Sequence, residues 1–185
     1  MVAIFQTGQP QTITDVLDNR DARVALQQQL LKQSPTQTLI AIKLNIPGPI
    51  KNNDQLRRLF SAGMNRFYDQ LKAQTRHFKT VAQWDKPTGN ELFMTVELDP
   101  TAVKKLAVEF EDHDHLGRLF DVDVMHAGSS RALSRSDFQM PVRKCLLCNR
   151  EAKDCARSRR HSVLELQQRI SEIYNAEFNS DGGRQ

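Results

Sequence analysis

Apolar residues along this chain recur in two periods, near four and near two, and the switches between them mark out a succession of elements. Asp21 to Leu31 has helical spacing, with Val24, Leu30 and Leu31 as core-facing positions, and Ser34-Pro35 ends it. Thr38 to Ile46 is β-branched and apolar, a buried strand stopped by Pro47-Gly48-Pro49. Asn53 or Asp54 caps a long helix whose apolar positions are Leu56, Leu59, Phe60, Met64, Phe67 and Leu71. Two strands follow, Phe78 to Trp84 and Glu91 to Leu98, joined by a turn at Lys86-Pro87-Thr88-Gly89-Asn90. Asp99-Pro100 opens another helix with Val103, Leu106, Ala107 and Phe110 along one stripe, and Leu119 to Met125 returns to a strand.

From residue 38 onward the order is strand, helix, strand, strand, helix, strand. That order predicts an α+β fold, a split βαβ (ferredoxin-like) or nucleotidyltransferase-like antiparallel or mixed sheet with helices on one face. A hairpin around Gly128 and a helix from Val163 to Phe178 are expected outside that core. Residues 1–178 are expected to form one domain, with its core at about 38–125 and a Cys/Arg-rich and helical part at about 126–178. The tail 179–185 is expected to be disordered.

A chain of 185 residues is long enough to bury a continuous core without disulfides. Three cysteines within eleven positions are an odd set rather than a disulfide framework, which makes a reducing cytoplasm the expected location. The N-terminal stretch lacks the basic-then-apolar form of a signal peptide, and no stretch approaches the apolar length of a membrane helix.

The net charge of +4 is unevenly spread. Arg143 to His161 carries seven basic residues against two acidic ones, whereas Thr101 to Asp123 carries three against six. One stretch suits polyanions and the other suits cations. The basic tract holds no aromatic residue on which bases could stack, so nucleic acid is not the expected partner.

Candidate chemistry gathers where these stretches meet. In a strand, Asp121 and Asp123 point to the same face, and Mg2+ is a common bridge between such a carboxylate pair and substrate phosphates. Arg118, just before the strand, is placed to hold a phosphate oxygen. Two solvated aspartates on an edge strand would read the same way. Glu109 and Glu111 are candidates for a third ligand, but on a helix only one of them can join the site, and His113, His115 or His126 could act as base. The loop Pro47 to Lys51 feeds a helix, so its amides, Lys51, Arg57 and Arg58 form a candidate phosphate cradle; the alternative is a proline-stiffened connector with solvated cations. Cys145-x2-Cys148-x6-Cys155-x5-His161 can complete a tetrahedral structural zinc site, although Leu146 and Leu147 also suit a core turn with free thiols.

Taken together, Pro47-Gly48-Pro49-Ile50-Lys51, Leu116-Gly117-Arg118-Leu119-Phe120-Asp121-Val122-Asp123-Val124, Leu133-Ser134-Arg135 and Pro141-x-Arg143-x-Cys145-Leu146-x-Cys148 with Cys155-Ala156-Arg157 and His161 make the chain resemble the apo-citrate lyase phosphoribosyl-dephospho-CoA transferases. Family members tend to read His-Pro-Leu-Gly-Arg where this chain has Asp114-His115-Leu116-Gly117-Arg118. The resemblance implies a cytoplasmic holo-acyl carrier protein synthase of the nucleotidyltransferase type. Such an enzyme moves the prosthetic group from 2'-(5''-triphosphoribosyl)-3'-dephospho-CoA to a serine of the citrate lyase acyl carrier protein (gamma chain), and pyrophosphate leaves. It implies catalytic roles for Asp121, Asp123 and Arg118 with Mg2+, and phosphate contacts for Arg135 and Arg143 from their places in the family's blocks. The alternative is a non-enzymatic zinc-binding adaptor for an acidic partner or nucleic acid.

Overall fold

The structure, a computed structural model, describes residues 3–129 and 131–178, so the expected disordered tail at 179–185 lies outside the described residues. Its elements run α1 (Ile13–Gln33), β1 (Thr38–Leu44), α2 (Asp54–Lys72), β2 (Phe78–Lys86), β3 (Gly89–Val96), α3 (Pro100–His113), β4 (Phe120–Met125), α4 (Ala152–Arg157) and α5 (Val163–Phe178), with short 3-10 turns at Gly117–Leu119 and Arg135–Phe138.

Four strands form one sheet in the order β2-β3-β1-β4, and every neighbouring pair is antiparallel. This is the split βαβ order expected from the sequence. Asn53 caps α2 by accepting from the Leu56 N–H, and Asp99 caps α3 with Pro100 in the first turn, both as the sequence signals.

Ile40, Ile42, Leu92, Met94, Val122 and Val124 turn one sheet face toward α2 and α3, where Leu59, Phe67, Val103 and Phe110 pack on them. Ile170, Ile173 and Tyr174 of α5 join that same cluster, so the last helix is part of the core rather than external to it. The second face is also covered. Leu26, Leu30 and Leu31 of α1 lie against Leu39, Ala41, Phe93 and Met125, because β1 is apolar at consecutive positions and buries both of its sides.

α1 begins eight residues earlier than its apolar spacing suggests. Thr12 and Asp15 form a capping box there, while Ile13 and Leu17 stay exposed, so no apolar stripe marks the first turns. Val24, expected in the core, is 42% exposed, and Leu30 carries the contact instead.

Two glycines set close approaches that place β4. A Cβ on Gly63 would lie 2.2 Å from the Phe120 ring, and one on Gly117 would lie 2.0 Å from the Phe110 carbonyl oxygen.

Candidate active site

Antiparallel register lines up Trp84, Glu91, Lys43 and Asp121 across β2, β3, β1 and β4, and sets Asp123 opposite Ala41 one pleat further on. Lys43 stands between two acidic neighbours. Glu91 is already held by Arg23, whose Nε and Nη2 donate at 2.5 and 2.8 Å, and by Asn19 at 2.6 Å. The Lys43 ammonium therefore turns to Asp121, donating to Oδ2, and lies 3.7 Å from Asp123 Oδ2. One oxygen of each aspartate is left free of the lysine.

Burial works to raise Asp121, but the Lys43 and Arg143 cations outweigh it and hold its carboxyl below the ordinary range. Burial and the Asp121 charge push Asp123 above that range, against the pull of Lys43.

β4 is an edge strand, and its outer side is closed by one side chain and by the backbone of the segment that follows it. The Val122 N–H donates to Glu111 Oε1 at 2.7 Å, and the Leu133 N–H donates to the Val124 carbonyl. Glu111 is therefore the buried member of the two candidate glutamates, whereas Glu109 is exposed beside His113. Beyond this edge lies a cavity of about 450 Å³ lined by Asp121, Asp123, Lys104, Glu111, Arg135 and Arg143 among others. Lys104, only 6% exposed, makes no hydrogen bond or ion pair among the described residues. None of His113, His115 and His126 lines this cavity.

A second cavity of about 510 Å³ adjoins it, sharing Asn45, Arg143, Ala152 and Ala156. Its floor is apolar, with Leu119, Leu146, Leu166 and Ile170, and Arg118, Lys144 and Arg159 stand on its rim.

The arginines selected from the sequence are placed differently from one another. Arg118 donates to the carbonyls of Lys144 and Cys145 at 3.0 and 3.2 Å and faces the larger cavity. Arg143 donates to the Arg118 carbonyl at 2.8 Å, lies 3.8 Å from Asp121 Oδ1 and lines both cavities. Arg135 commits its guanidinium to Asp112 and Glu111 at 2.6 to 2.9 Å, which makes it a clamp on α3.

The cradle expected at the start of α2 does not converge on the aspartates. Lys51 donates to the Ile46 carbonyl at 2.6 Å, and burial lowers its pKa. Arg57 pairs with Asp54 and Asp85, and Arg58 lies over the Phe178 ring. None of the three lines either cavity.

Cys145, Cys148, Cys155 and His161 do come together, their ligand atoms all within 4.8 Å of one another. They could bind a metal such as zinc. The ligand set comes from a short ribbon, in which Lys144 bridges Glu151 and the Cys145 N–H donates to the Arg150 carbonyl, then from α4 and the turn after it. A hydrogen bond with His161 lowers the Cys148 thiol to about 6, while burial and the neighbouring thiols push Cys155 up to about 11.

Sequence reasoning missed Lys43 and Lys104. The strand alternation that pairs Asp121 with Asp123 also puts Lys43 on that face once the β1–β4 register is known; Lys104 shares an α3 stripe with Glu111, seven residues on.

A split βαβ sheet whose edge carries a lysine-bridged aspartate pair, flanked by cavities ringed with cations, is an α+β fold with a candidate active site whose charge suits an anionic ligand. Residues 11–177 match the family described as apo-citrate lyase phosphoribosyl-dephospho-CoA transferase. The chain is 34% identical over 169 residues to "Protein CitXG" of Leuconostoc mesenteroides subsp. cremoris, covering 91% of this chain and 36% of that longer protein. It is 32% identical to the "Probable apo-citrate lyase phosphoribosyl-dephospho-CoA transferase" of Streptococcus pyogenes serotype M18, covering 96% of this chain and 92% of the relative. The "Apo-citrate lyase phosphoribosyl-dephospho-CoA transferase" of Escherichia coli O7:K1 is 32% identical, with 89% and 88% covered. The chain belongs to the apo-citrate lyase phosphoribosyl-dephospho-CoA transferase family, and it is an enzyme, a transferase of prosthetic-group attachment. This sets aside the non-enzymatic adaptor.

Proposed function

We propose that the protein transfers the phosphoribosyl-dephospho-CoA group from 2'-(5''-triphosphoribosyl)-3'-dephospho-CoA to a serine of the citrate lyase acyl carrier protein gamma chain in the cytoplasm. The serine oxygen forms a bond to the phosphorus nearest the ribose, the bond from that phosphorus to pyrophosphate breaks, and one proton is released. The observation that carries this reading is the smaller cavity. Asp121 and Asp123 are fixed there by Lys43, beside the unpaired ammonium of Lys104 and the guanidinium of Arg143. Lys104, Arg143 and Lys153 line this cavity, and three such cations suit a triphosphate. The adjoining apolar cavity, with Arg118 at its rim, suits the nucleotide and pantetheine part of the donor.

The site also fits Mg2+, because Asp121 and Asp123 each keep an oxygen free of Lys43 and are 40% and 35% exposed. Bound there, Mg2+ would neutralise phosphate charge. Lys43 and Arg143 keep Asp121 ionised and in place, so the chain positions the donor rather than attacking it. On the segment that carries the cysteines, Arg150, Lys153, Arg157 and Arg160 are exposed and suit an acidic carrier protein.

Intact-mass measurement of the carrier protein after incubation with enzyme, Mg2+ and donor tests this reading. The carrier gains the mass of the transferred group. Asp121→Asn abolishes the gain, lowering the rate at least about 100-fold, with the circular dichroism spectrum unchanged. A folded Asp121→Asn protein with normal transfer would overturn the assignment.

A further inference from the structure

The thiols and imidazole beside the larger cavity are not needed by the transfer chemistry, yet the fold goes to some length to assemble them. Cys148 Sγ lies 3.5 Å from Cys155 Sγ and 3.4 Å from His161 Nε2, and all four ligand atoms fall within 4.8 Å. In a tetrahedron with bonds of about 2.3 Å to sulfur and about 2.0 Å to nitrogen, ligand atoms stand roughly 3.5 to 3.8 Å apart. The spacing therefore needs only a slight contraction around an ion. A backbone amide is already turned to one of the sulfurs: the Leu147 N–H donates to Cys145 Sγ at 3.5 Å, the outer support that thiolate ligands receive at metal sites.

The segment that carries these ligands is tied to the body at its start, by Arg118, Arg143 and Leu146, and has less regular structure further on. The ribbon is a single bridge between Lys144 and Glu151, and α4 has six residues and no side-chain cap. Arg159 takes a left-handed conformation at φ 46°, which turns the chain after α4 and returns His161 to the cysteines. Six exposed cations on this segment, Lys144, Arg150, Lys153, Arg157, Arg159 and Arg160, repel one another. A compact fold under these conditions calls for a cross-link at its centre.

We propose that Cys145, Cys148, Cys155 and His161 hold one zinc ion in a closed structural site that fixes the wall between the two cavities. Three thiolates and an imidazole select zinc over hard cations, and four protein ligands leave no open position for catalysis. The wall matters because Arg118 is oriented by the carbonyls of Lys144 and Cys145, and Ala152 and Ala156 line both cavities. The zinc assignment does not rest on the proposed transfer reaction, and its test can fail or succeed separately.

The protein is purified in reducing buffer without added metal and its zinc is measured by plasma mass spectrometry. About one zinc per chain is expected, falling at least about tenfold in Cys148→Ser. Should that variant not fold, titration of the wild-type thiols with an organomercurial decides the point, since zinc is released as three thiols are consumed. Folded, reduced wild-type protein without zinc, and without thiolate-to-cobalt bands when Co2+ is supplied, would overturn the site, as would a Cys148–Cys155 disulfide in its place. Hydrogen exchange tests the structural role. Removing zinc should expose the Cys145 and Ala152 amides while β1 and β3 stay protected; unchanged protection would overturn that role.

Discussion

Lys104 is the residue whose situation least resembles a structural one. A lysine this buried usually holds a carboxylate directly, whereas Lys104 makes no hydrogen bond or ion pair among the described residues and feels Asp121, Asp123 and Asp137 only at longer range. Here it faces a cavity, and Arg143 and Lys43 have the first claim on Asp121. Lys104→Met should therefore separate stability from function. Thermal melting is expected to stay nearly level, because no direct hydrogen bond or ion pair is lost and the longer-range attraction to Asp121 and Asp123 is offset by the lysine's own burial. Donor affinity should fall by ten- to a hundredfold, the loss of one charge-assisted hydrogen bond of about 1.5–3 kcal/mol. A lower melting temperature with unchanged donor binding would make Lys104 structural. The aspartates themselves were legible in the sequence because alternation shows which residues share a face. Their lysine was not, because a cross-strand neighbour comes from pairing at long range and leaves no local signal.

Among the elements, α3 does more than pack on the sheet. Its Glu111 closes the outer side of β4 through the Val122 N–H and takes Arg135 from the segment beyond, so one carboxylate joins helix, strand edge and loop. Glu111→Gln keeps the acceptor for Val122 but takes one of two carboxylates from Arg135, which is 12% exposed and keeps Asp112. The expected cost is about 1.5 kcal/mol in urea unfolding, the lower end for a hydrogen bond to a charged group, with little change in the slope of the transition. The loop after β4 has its own clamp. Asp137 accepts from Arg131 and from the Ser134 N–H, and its pKa is lowered to about 2 from 3.8. Because the folded-state value is the lower one, the stabilisation is fully present above the ordinary carboxylate range and is lost as pH falls through about 2. Acid unfolding monitored from pH 5 to pH 2 should lose that component in Arg131→Gln. The helix caps at Asn53 and Asp99 and the turn before Gly89 were readable because such signals are local. The start of α1 was not, because its first turns are held by a capping box and bury almost nothing.

At the scale of the whole molecule, the two-sided covering of the sheet was the least visible feature beforehand. A run such as Thr38 to Ala41 fits a strand buried on both faces or on one, and only the docking of α1 decides between them. Charge, by contrast, was legible as a distribution. The basic tract singled out in the sequence becomes an exposed surface around the cysteine cluster. Association with an acidic carrier across that surface should weaken with ionic strength. Raising salt from 0.05 to 0.5 M, which shortens the screening length from roughly 14 to 4 Å, is expected to raise KM for the carrier severalfold and leave kcat nearly unchanged. A salt-independent KM would place the carrier elsewhere.

The sheet and its charged row are complete at Met125, whereas both cavities take walls from residues that follow Ser134, and the larger one reaches Ile170. Synthesis proceeds from the N-terminus, so the carboxylate row leaves the ribosome before the residues that wall the cavities, and the proposed site is complete only once α5 has docked on the core it shares with the sheet.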